Sequence, residues 1–428
     1  MVVTEVNLWG IQVGAVAWNE AANHGVFEFE PDFLKLNLDI APLKMPLAEA
    51  RNGKRIFSFP MLNTETFQGL PGLLADSLPD KFGNRLIEEW LARKGRTVQS
   101  MNPIEKLCYI GARGMGALEF KPAIFRYDEP SEPLQVDELV RLASDILHER
   151  NSLETNLEKP ENHGIEDIIR VGTSAGGARA KAVIAYNPET GDVRSGQAQH
   201  SEGFDYWIIK FDGVNNDLLG DPQGYGRIEY AYHLMAKECG INMTECRLLE
   251  EGGRAHFMTK RFDRVGTEKL HMQTLCGIAH FDYNQPNLYS YEQAFQVMRQ
   301  LRLPYPDAEA LFRRMVFNAL CYNCDDHTKN ISFLMDKKGV WRLSPAYDIT
   351  YAYNPDNRWL RAHQMSVNGK RENITEDDLL KVASEMNIKK PLEIISSVQE
   401  AASNWTVFAS QAGMPDGQAE KIGRLINP

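Results

Sequence analysis

The chain has 428 residues, of which 43% are apolar and 25% charged, and a formal net charge of −11. That length is too great for one simple core, so two or three domains are expected, and no apolar run reaches the roughly 18 residues a membrane helix requires. The acidic balance argues against broad, self-sufficient binding of nucleic acid, whose phosphates need a basic face.

The six cysteines follow no disulfide-type spacing, and the N-terminus "MVVTEVNLWGIQVG" has no basic region ahead of an apolar one. Both features fit a reducing cytoplasm rather than secretion. The first 60 residues alternate as strands do, in "EVNLWGIQVGAVAW", "GVFEFEPDF" and "RIFSFP". In "FQGLPGLLADSLPDKFGNRLIEEWLARKG" prolines and glycines mark a loop, and Asp80 is placed to cap a helix through Trp90. The glycine-broken "YIGARGMGALEFKP" leads into another short strand, and "RYDEPSEPLQV" has the composition of a linker. A helix follows in "VDELVRLASDILHERN".

Farther on, "IIRVGTSAGGARAKAVIAYNPETGDV" reads as strand, glycine-rich loop, strand and a turn at Asn187–Gly191. "FDYWIIKFDG" is a strand, "GRIEYAYHLMAKECGI" a helix ending near Gly240, and "HFMTKRFDR" a strand running into a connector. From about residue 268 the pattern is mainly helical, interrupted by one hairpin, "ISFLMDKKGVWRLSP". Three units result: a β-rich N-terminal subdomain at 1–135, a small α/β lobe at 136–267 and a helical lobe at 268–428. A strand-rich lobe joined to a helical lobe leaves a cleft, where ligands usually sit.

The densest chemistry lies in "NCDDHTKNISF", Asn323 to Phe333. A solvated polar loop is one explanation of it. The other starts from Asp325 and Asn330, which have the D-x-x-x-x-N spacing of a catalytic loop that accepts a hydroxyl proton and holds a magnesium ion. The following hairpin returns "SPAYDIT" beside Asn330, so an amide oxygen and the Asp348 carboxylate converge, a donor set suited to hard Mg2+. Asp325, Asp326 and His327 also allow a two-metal phosphoesterase, although the remaining histidines are scattered. Cys321 and Cys324 have no second pair at zinc-site spacing and read as core residues.

The loop "VGTSAGGARAK" is neither a Walker A loop nor G-x-G-x-x-G. It is either a plain turn or an anion-facing loop charged by Arg179 and Lys181. Lys210 closes the apolar run "YWII", where a lysine either snorkels to the surface or points to nucleotide phosphates. Glu229 is a weaker candidate for its ion-pair partner, since acids favour first helical turns in any case. The order glycine loop, strand lysine, helix glutamate, D-x-x-x-x-N and metal aspartate is that of a two-lobed phosphotransferase.

Taken together, "FQGLPGLLADSLPDKFG", "GARGMGALEF", "SAGGARAK", "NCDDHTKN" and "LSPAYD" resemble, in order and over nearly the full length, the HipA-type serine/threonine kinases. These are the toxins of bacterial toxin–antitoxin pairs. The resemblance implies an α+β, two-lobed protein-kinase-like fold with a β-rich N-terminal subdomain and a mainly helical C-terminal lobe. It implies Asp325 as proton acceptor, Asn330 and Asp348 as magnesium ligands, and Lys210 on the ATP phosphates. Gly176, Gly177, Ala178, Arg179, Ala180 and Lys181 would cover the nucleotide, with His327, Thr328, Lys329 and Tyr347 lining its site. Lys260, Arg261 and Phe262 would form the adenine-reading hinge and Asp263 would hold the ribose.

Ser174 falls where family members phosphorylate their own loop and switch themselves off. The implied cofactors are ATP and Mg2+. The implied partners are a helix-turn-helix antitoxin of the HipB type, operator DNA through that antitoxin, and a protein substrate of the aminoacyl-tRNA synthetase kind. H-R-D, D-F-G and A-P-E are all missing, and the tyrosine ahead of Asp348 departs from the usual metal-aspartate switch. An inactive, nucleotide-binding co-repressor acting with the antitoxin is the alternative.

Overall fold

The alternating residues of the N-terminus form three antiparallel strands, β1 (Val3–Leu8), β2 (Ile11–Asn19) and β3 (His24–Phe29), in a computed structural model that describes residues 2–124, 133–147, 179–196, 203–214 and 224–426. With β4 (Ile56–Phe57) and β5 (Leu118–Lys121) they make a five-stranded sheet in the order β4-β3-β2-β1-β5. Phe27, Phe29, Phe33 and Phe57 fill one face, with edge-to-face and stacked contacts between their rings. Helix α1 (Lys81–Arg93) starts at Asp80, whose side chain accepts from Gly83 N as an N-cap should. Helix α2 (Pro103–Ile110) has a full capping box between Asn102 and Glu105.

Helix α3 (Val136–Leu147) packs against α1 and so contacts the N-terminal subdomain. Just before it, Leu134 N donates to Val193 O at the edge of the next sheet. That sheet contains β6 (Lys181–Tyr186), β7 (Val193–Ser195), β8 (Asp205–Lys210), β9 (Cys246–Glu251) and β10 (Arg254–Lys260) in the order β7-β6-β8-β10-β9. The expected turn at Asn187–Gly191 joins β6 to β7, with Gly191 in the left-handed region at φ +78°. Helix α4 (Tyr225–Glu238) carries Glu229. Its Tyr232 is fully buried, donates to Cys321 O and meets Phe317 and Trp405 edge to face, which fixes this helix to the helical lobe.

A two-stranded ribbon, β11 (Arg264–Val265) and β12 (Glu268–Lys269), spans the expected boundary at 267. The expected hairpin is β14 (Ser332–Met335) and β15 (Trp341–Leu343), with β13 (His271–Thr274) added as a third strand beside β14. Around it lie α5 (Tyr291–Gln300), α6 (Tyr305–Leu320), α7 (Glu376–Met386), α8 (Pro391–Ser403), α9 (Trp405–Gln411) and α10 (Asp416–Ile426). All six cysteines are buried thiols, Cys321 at the end of α6 and Cys324 in the polar loop after it. Among the described residues, no helix is long and apolar enough to cross a membrane.

Candidate functional site

Strand β8 ends at Lys210, which is 13% exposed in its side chain and held between two carboxylates. Its Nζ donates to Glu229 Oε1 and to Asp348 Oδ1, at 2.5 Å each. The first partner comes from α4 and the second from the segment after β15, so one ammonium ties the small lobe to the helical lobe. Burial opposes the charge on Asp348, yet Lys210, and then Lys181, bring its carboxyl down to about 2. The same two carboxylates raise Lys210 above the ordinary lysine range in spite of burial. Asp348 stands at φ +53°, in the left-handed region that few non-glycine residues adopt.

The hairpin delivers Asp348 to the loop as its connectivity requires. Asn330 and Asp348 line one cavity together with His327, Asn323, Asp326 and Tyr347. Asn330 Nδ2 donates to the Asp325 carbonyl at 2.7 Å, which turns the amide oxygen away from that bond and leaves it as an acceptor. A carboxylate and an amide oxygen on one cavity wall fit Mg2+, which takes one or two protein oxygens and fills its octahedron from phosphates and water. The Asp325 carboxylate is half exposed, with His327 Nε2 3.9 Å away. Burial, with repulsion from Asp348 and Asp326, raises its pKa, and His327 and Arg179 offset part of this.

Asp326 has a different environment. It is buried, and its oxygens accept from Tyr291 Oη at 2.9 Å, His363 Nδ1 at 3.1 Å and Gln364 N at 2.7 Å. Burial disfavours a charged His363, but Asp326 overrides it and lifts that imidazole to about 10. The two-metal alternative therefore loses Asp326, and among the described residues no group of three or more His, Cys, Asp or Glu is placed to hold a metal.

The remaining expected residues divide. Arg179 lies over the Tyr225 ring at 4.0 Å, Ala180 accepts from Phe211 N, and Lys181 begins β6 directly opposite Lys210. Lys329 sits 4.6 Å over the Tyr283 ring, and Tyr347 donates to Lys329 O while its ring faces Phe262 at 5.4 Å. Thr328 is buried, with its hydroxyl donated to Phe281 O. Lys260, the last residue of β10, pairs with Asp205 at 2.6 Å.

Arg261 and Asp263 are buried against each other. The Asp263 carboxylate, with no exposed side-chain surface, accepts from Arg261 Nε and Nη2, Arg264 Nη1 and Gly116 N at 2.7–2.9 Å. With no side-chain surface exposed and both carboxylate oxygens bonded, Asp263 sits in a subdomain joint rather than open to a ribose. Ser174, Gly176, Gly177 and Ala178 lie outside the described residues.

Sequence reasoning did not give the N-terminal subdomain a place here, but two of its acids are at the site. Asp76 accepts from Thr274 N and Oγ1 at 2.7 Å each, and burial lifts its carboxyl to about 6 against the pull of Lys329. Asp80 reaches Lys181. Both lie in the stretch "FQGLPGLLADSLPDKFG" that carries part of the family resemblance, but only Asp80 was given a role there, as a helix cap.

Two family models match the chain. "HipA N-terminal domain" covers residues 4–121 and "HipA-like C-terminal domain" covers residues 173–405. A Sinorhizobium fredii (strain NBRC 101917 / NGR234) protein, Y4dM, provisionally named a kinase, is 24% identical over 240 residues, which are 52% of this chain and 56% of that one. A Haemophilus influenzae protein with a similarly provisional kinase name is 28% identical over 165 residues, 33% of this chain and 48% of that one. The chain thus spans about half the length of the curated relatives it matches. HipA of Shewanella oneidensis MR-1, solved with HipB and its operator DNA, superposes with a TM-score of 0.70 at 17% identity, over 99% of this chain and 95% of that chain. At that identity the likeness is one of fold.

Proposed function

Because the chain belongs to the HipA family, we propose that it is an ATP- and Mg2+-dependent serine/threonine protein kinase, the toxin of a toxin–antitoxin pair. The observation that carries this reading is Lys210, shared between Glu229 and Asp348 at 2.5 Å in the cleft that also holds Asp325 and Asn330. Phosphoryl transfer asks a protein mainly for positioning and charge stabilisation. Lys210 supplies a cation for the phosphates, and Asn330 and Asp348 would hold the magnesium, whose chemistry is to neutralise phosphate charge. Asp325, half exposed beside them, accepts the proton of the incoming hydroxyl. Lys181, Arg179, Lys329 and His327 add positive or hydrogen-bonding groups around the same space.

The protein substrate in this reading is a translation protein of the aminoacyl-tRNA synthetase kind. Phosphorylation of Ser174 acts as the off-switch, by bringing about two negative charges into a triphosphate site. The partner is a helix-turn-helix antitoxin of the HipB type, and operator DNA is reached through it. The similarly folded Shewanella HipA was solved with such a partner and DNA. The acidic balance of this chain agrees with DNA contact being supplied mainly by the partner.

The test is incubation with γ-labelled ATP and Mg2+. Wild type should incorporate label at Ser174, and Asp325→Asn should incorporate at least ~100-fold less, in line with loss of a general base. Binding of ATP without any transfer by wild type would favour the inactive co-repressor instead.

A further inference from the structure

Two lysines stand side by side in this cleft, and only one has its partner in the kinase-like lobes. Lys181 and Lys210 are directly opposed on β6 and β8. Lys210 is held by Glu229 from α4. Lys181, 5% exposed, has as its ion-pair partner Asp80 of the N-terminal subdomain, with Nζ 3.6 Å from Asp80 Oδ2. Neither side chain of this pair exceeds 7% exposure.

Asp80 divides its two oxygens. Oδ1 accepts from Gly83 N at 2.6 Å and caps α1, while Oδ2 is buried with no hydrogen-bond partner and faces the ammonium. At 3.6 Å the contact is too long for a hydrogen bond, so it attracts Lys181 while leaving its N–H donors free for another acceptor.

What aims Asp80 is the seating of the segment before it. Asp76, four residues earlier at the end of the short helix Gly72–Ala75, is clamped by Thr274 N and Oγ1 of the helical lobe. The backbones interlock there: a Cβ on Gly72 would fall 2.1 Å from Gly277 O, and one on Gly277 would fall 2.1 Å from Asp76 Oδ2. Residues 72–80 are therefore set against the helical lobe without slack and extend one carboxylate to the small lobe.

We propose that Asp80 is to Lys181 what Glu229 is to Lys210: a positioning residue that keeps a phosphate-directed lysine in place, so that the N-terminal subdomain completes the nucleotide site. This rests on the nucleotide reading above. Asp348 and Glu229 also act on Lys181, but Asp80 is its nearest counter-charge, and a buried ammonium that loses its nearest carboxylate is driven to give up its proton or leave its position. A carboxylate held by a separate subdomain prevents both, and it makes nucleotide affinity depend on how that subdomain is docked.

The test is a double-mutant cycle on the full chain, with Mg2+ and a non-hydrolysable ATP analogue titrated by calorimetry. Asp80→Asn removes the charge but keeps the cap, since Asn caps as well as Asp. Asp80→Ser does the same with a different side chain. Both should weaken the analogue on the order of tenfold, the scale of one hydrogen bond to a charged group. Lys181→Met should weaken it at least as much, and the double variant Asp80→Asn/Lys181→Met no further than Lys181→Met alone. Unchanged affinity in both Asp80 variants, or a double variant in which the two losses add, overturns the proposal and leaves Asp80 a helix cap. If wild type itself binds no analogue, the nucleotide reading falls and this inference falls with it.

Discussion

Asp263→Asn separates a structural joint from a ribose contact. In the structure the Asp263 carboxylate takes two bonds from Arg261 at 2.9 and 2.7 Å, one from Arg264 at 2.8 Å and one from Gly116 N at 2.7 Å. Arg261 and Arg264 also donate to Gly114 O, so the carboxylate binds the segment after β10 to the N-terminal subdomain. Asparagine keeps one acceptor oxygen but turns an NH2 toward a guanidinium and leaves two nearly buried cations without their counter-charge.

Removing one partner of a buried pair costs about 3–5 kcal/mol, and the variant should lose that much in urea unfolding followed by tryptophan fluorescence. The two arginines overcome burial and hold the Asp263 carboxyl well below the usual range. Its contribution is therefore fully present above the unfolded carboxylate value, near ~3.9, and is lost only as pH falls below that. The gap between wild type and variant should stay constant from about pH 5 to 9. A loss under ~1 kcal/mol, accompanied by weaker nucleotide binding, would refute the reasoning and return Asp263 to the ribose.

Asp348→Asn should abolish transfer while removing one of two partners from Lys210. Because the folded carboxyl lies near 2, the destabilisation should be present at pH 7 and shrink as pH falls below about 4, measured by the urea midpoint at each pH. His363→Gln should destabilise in the opposite pH sense. The imidazole is raised to about 10 by Asp326, so its contribution is complete below the unfolded value near ~6.5 and fades as pH rises through 10; a gap that grows with pH would contradict the pairing. Gly277→Ala forces a methyl against Asp76 and should cost about 1–3 kcal/mol by overpacking, read as earlier proteolysis between the N-terminal subdomain and the rest. A fully stable variant would mean that this joint has slack.

Much of this was legible because the decisive relations are local in sequence. Asp325 and Asn330 are five residues apart, and a short hairpin can only bring Asp348 back beside its own start, as β14 and β15 do. The N-terminal strands showed themselves by alternation, and Asp80 by its position ahead of α1. What escaped is tertiary. β13 has four residues, and its place comes from pairing with β14, sixty residues on. β9 alternates weakly because its side chains are mostly half-exposed.

Lys260, Arg261 and Asp263 look alike as charged residues around Phe262, but their neighbours separate them: Lys260 faces outward to Asp205, while Arg261 and Asp263 are consumed by a joint with residues 114–116. Glu229 was hidden because the sequence put it in a first helical turn, where an acid needs no partner, whereas α4 begins at Tyr225 and carries it in the second turn. In the structure, the 2.5 Å contact to Lys210 gives it a partner.

In the proposed kinase, Asn330 and Asp348 would hold the magnesium beside Lys210. Crystals grown with Mn2+ in place of Mg2+ and a non-hydrolysable ATP analogue, measured at the manganese edge, locate that ion directly. The expected result is an anomalous peak about 2.0–2.3 Å from Asn330 Oδ1 and an Asp348 carboxylate oxygen, with Lys210 Nζ on the phosphates. A peak bound elsewhere, or a nucleotide seated away from Lys210, would contradict it.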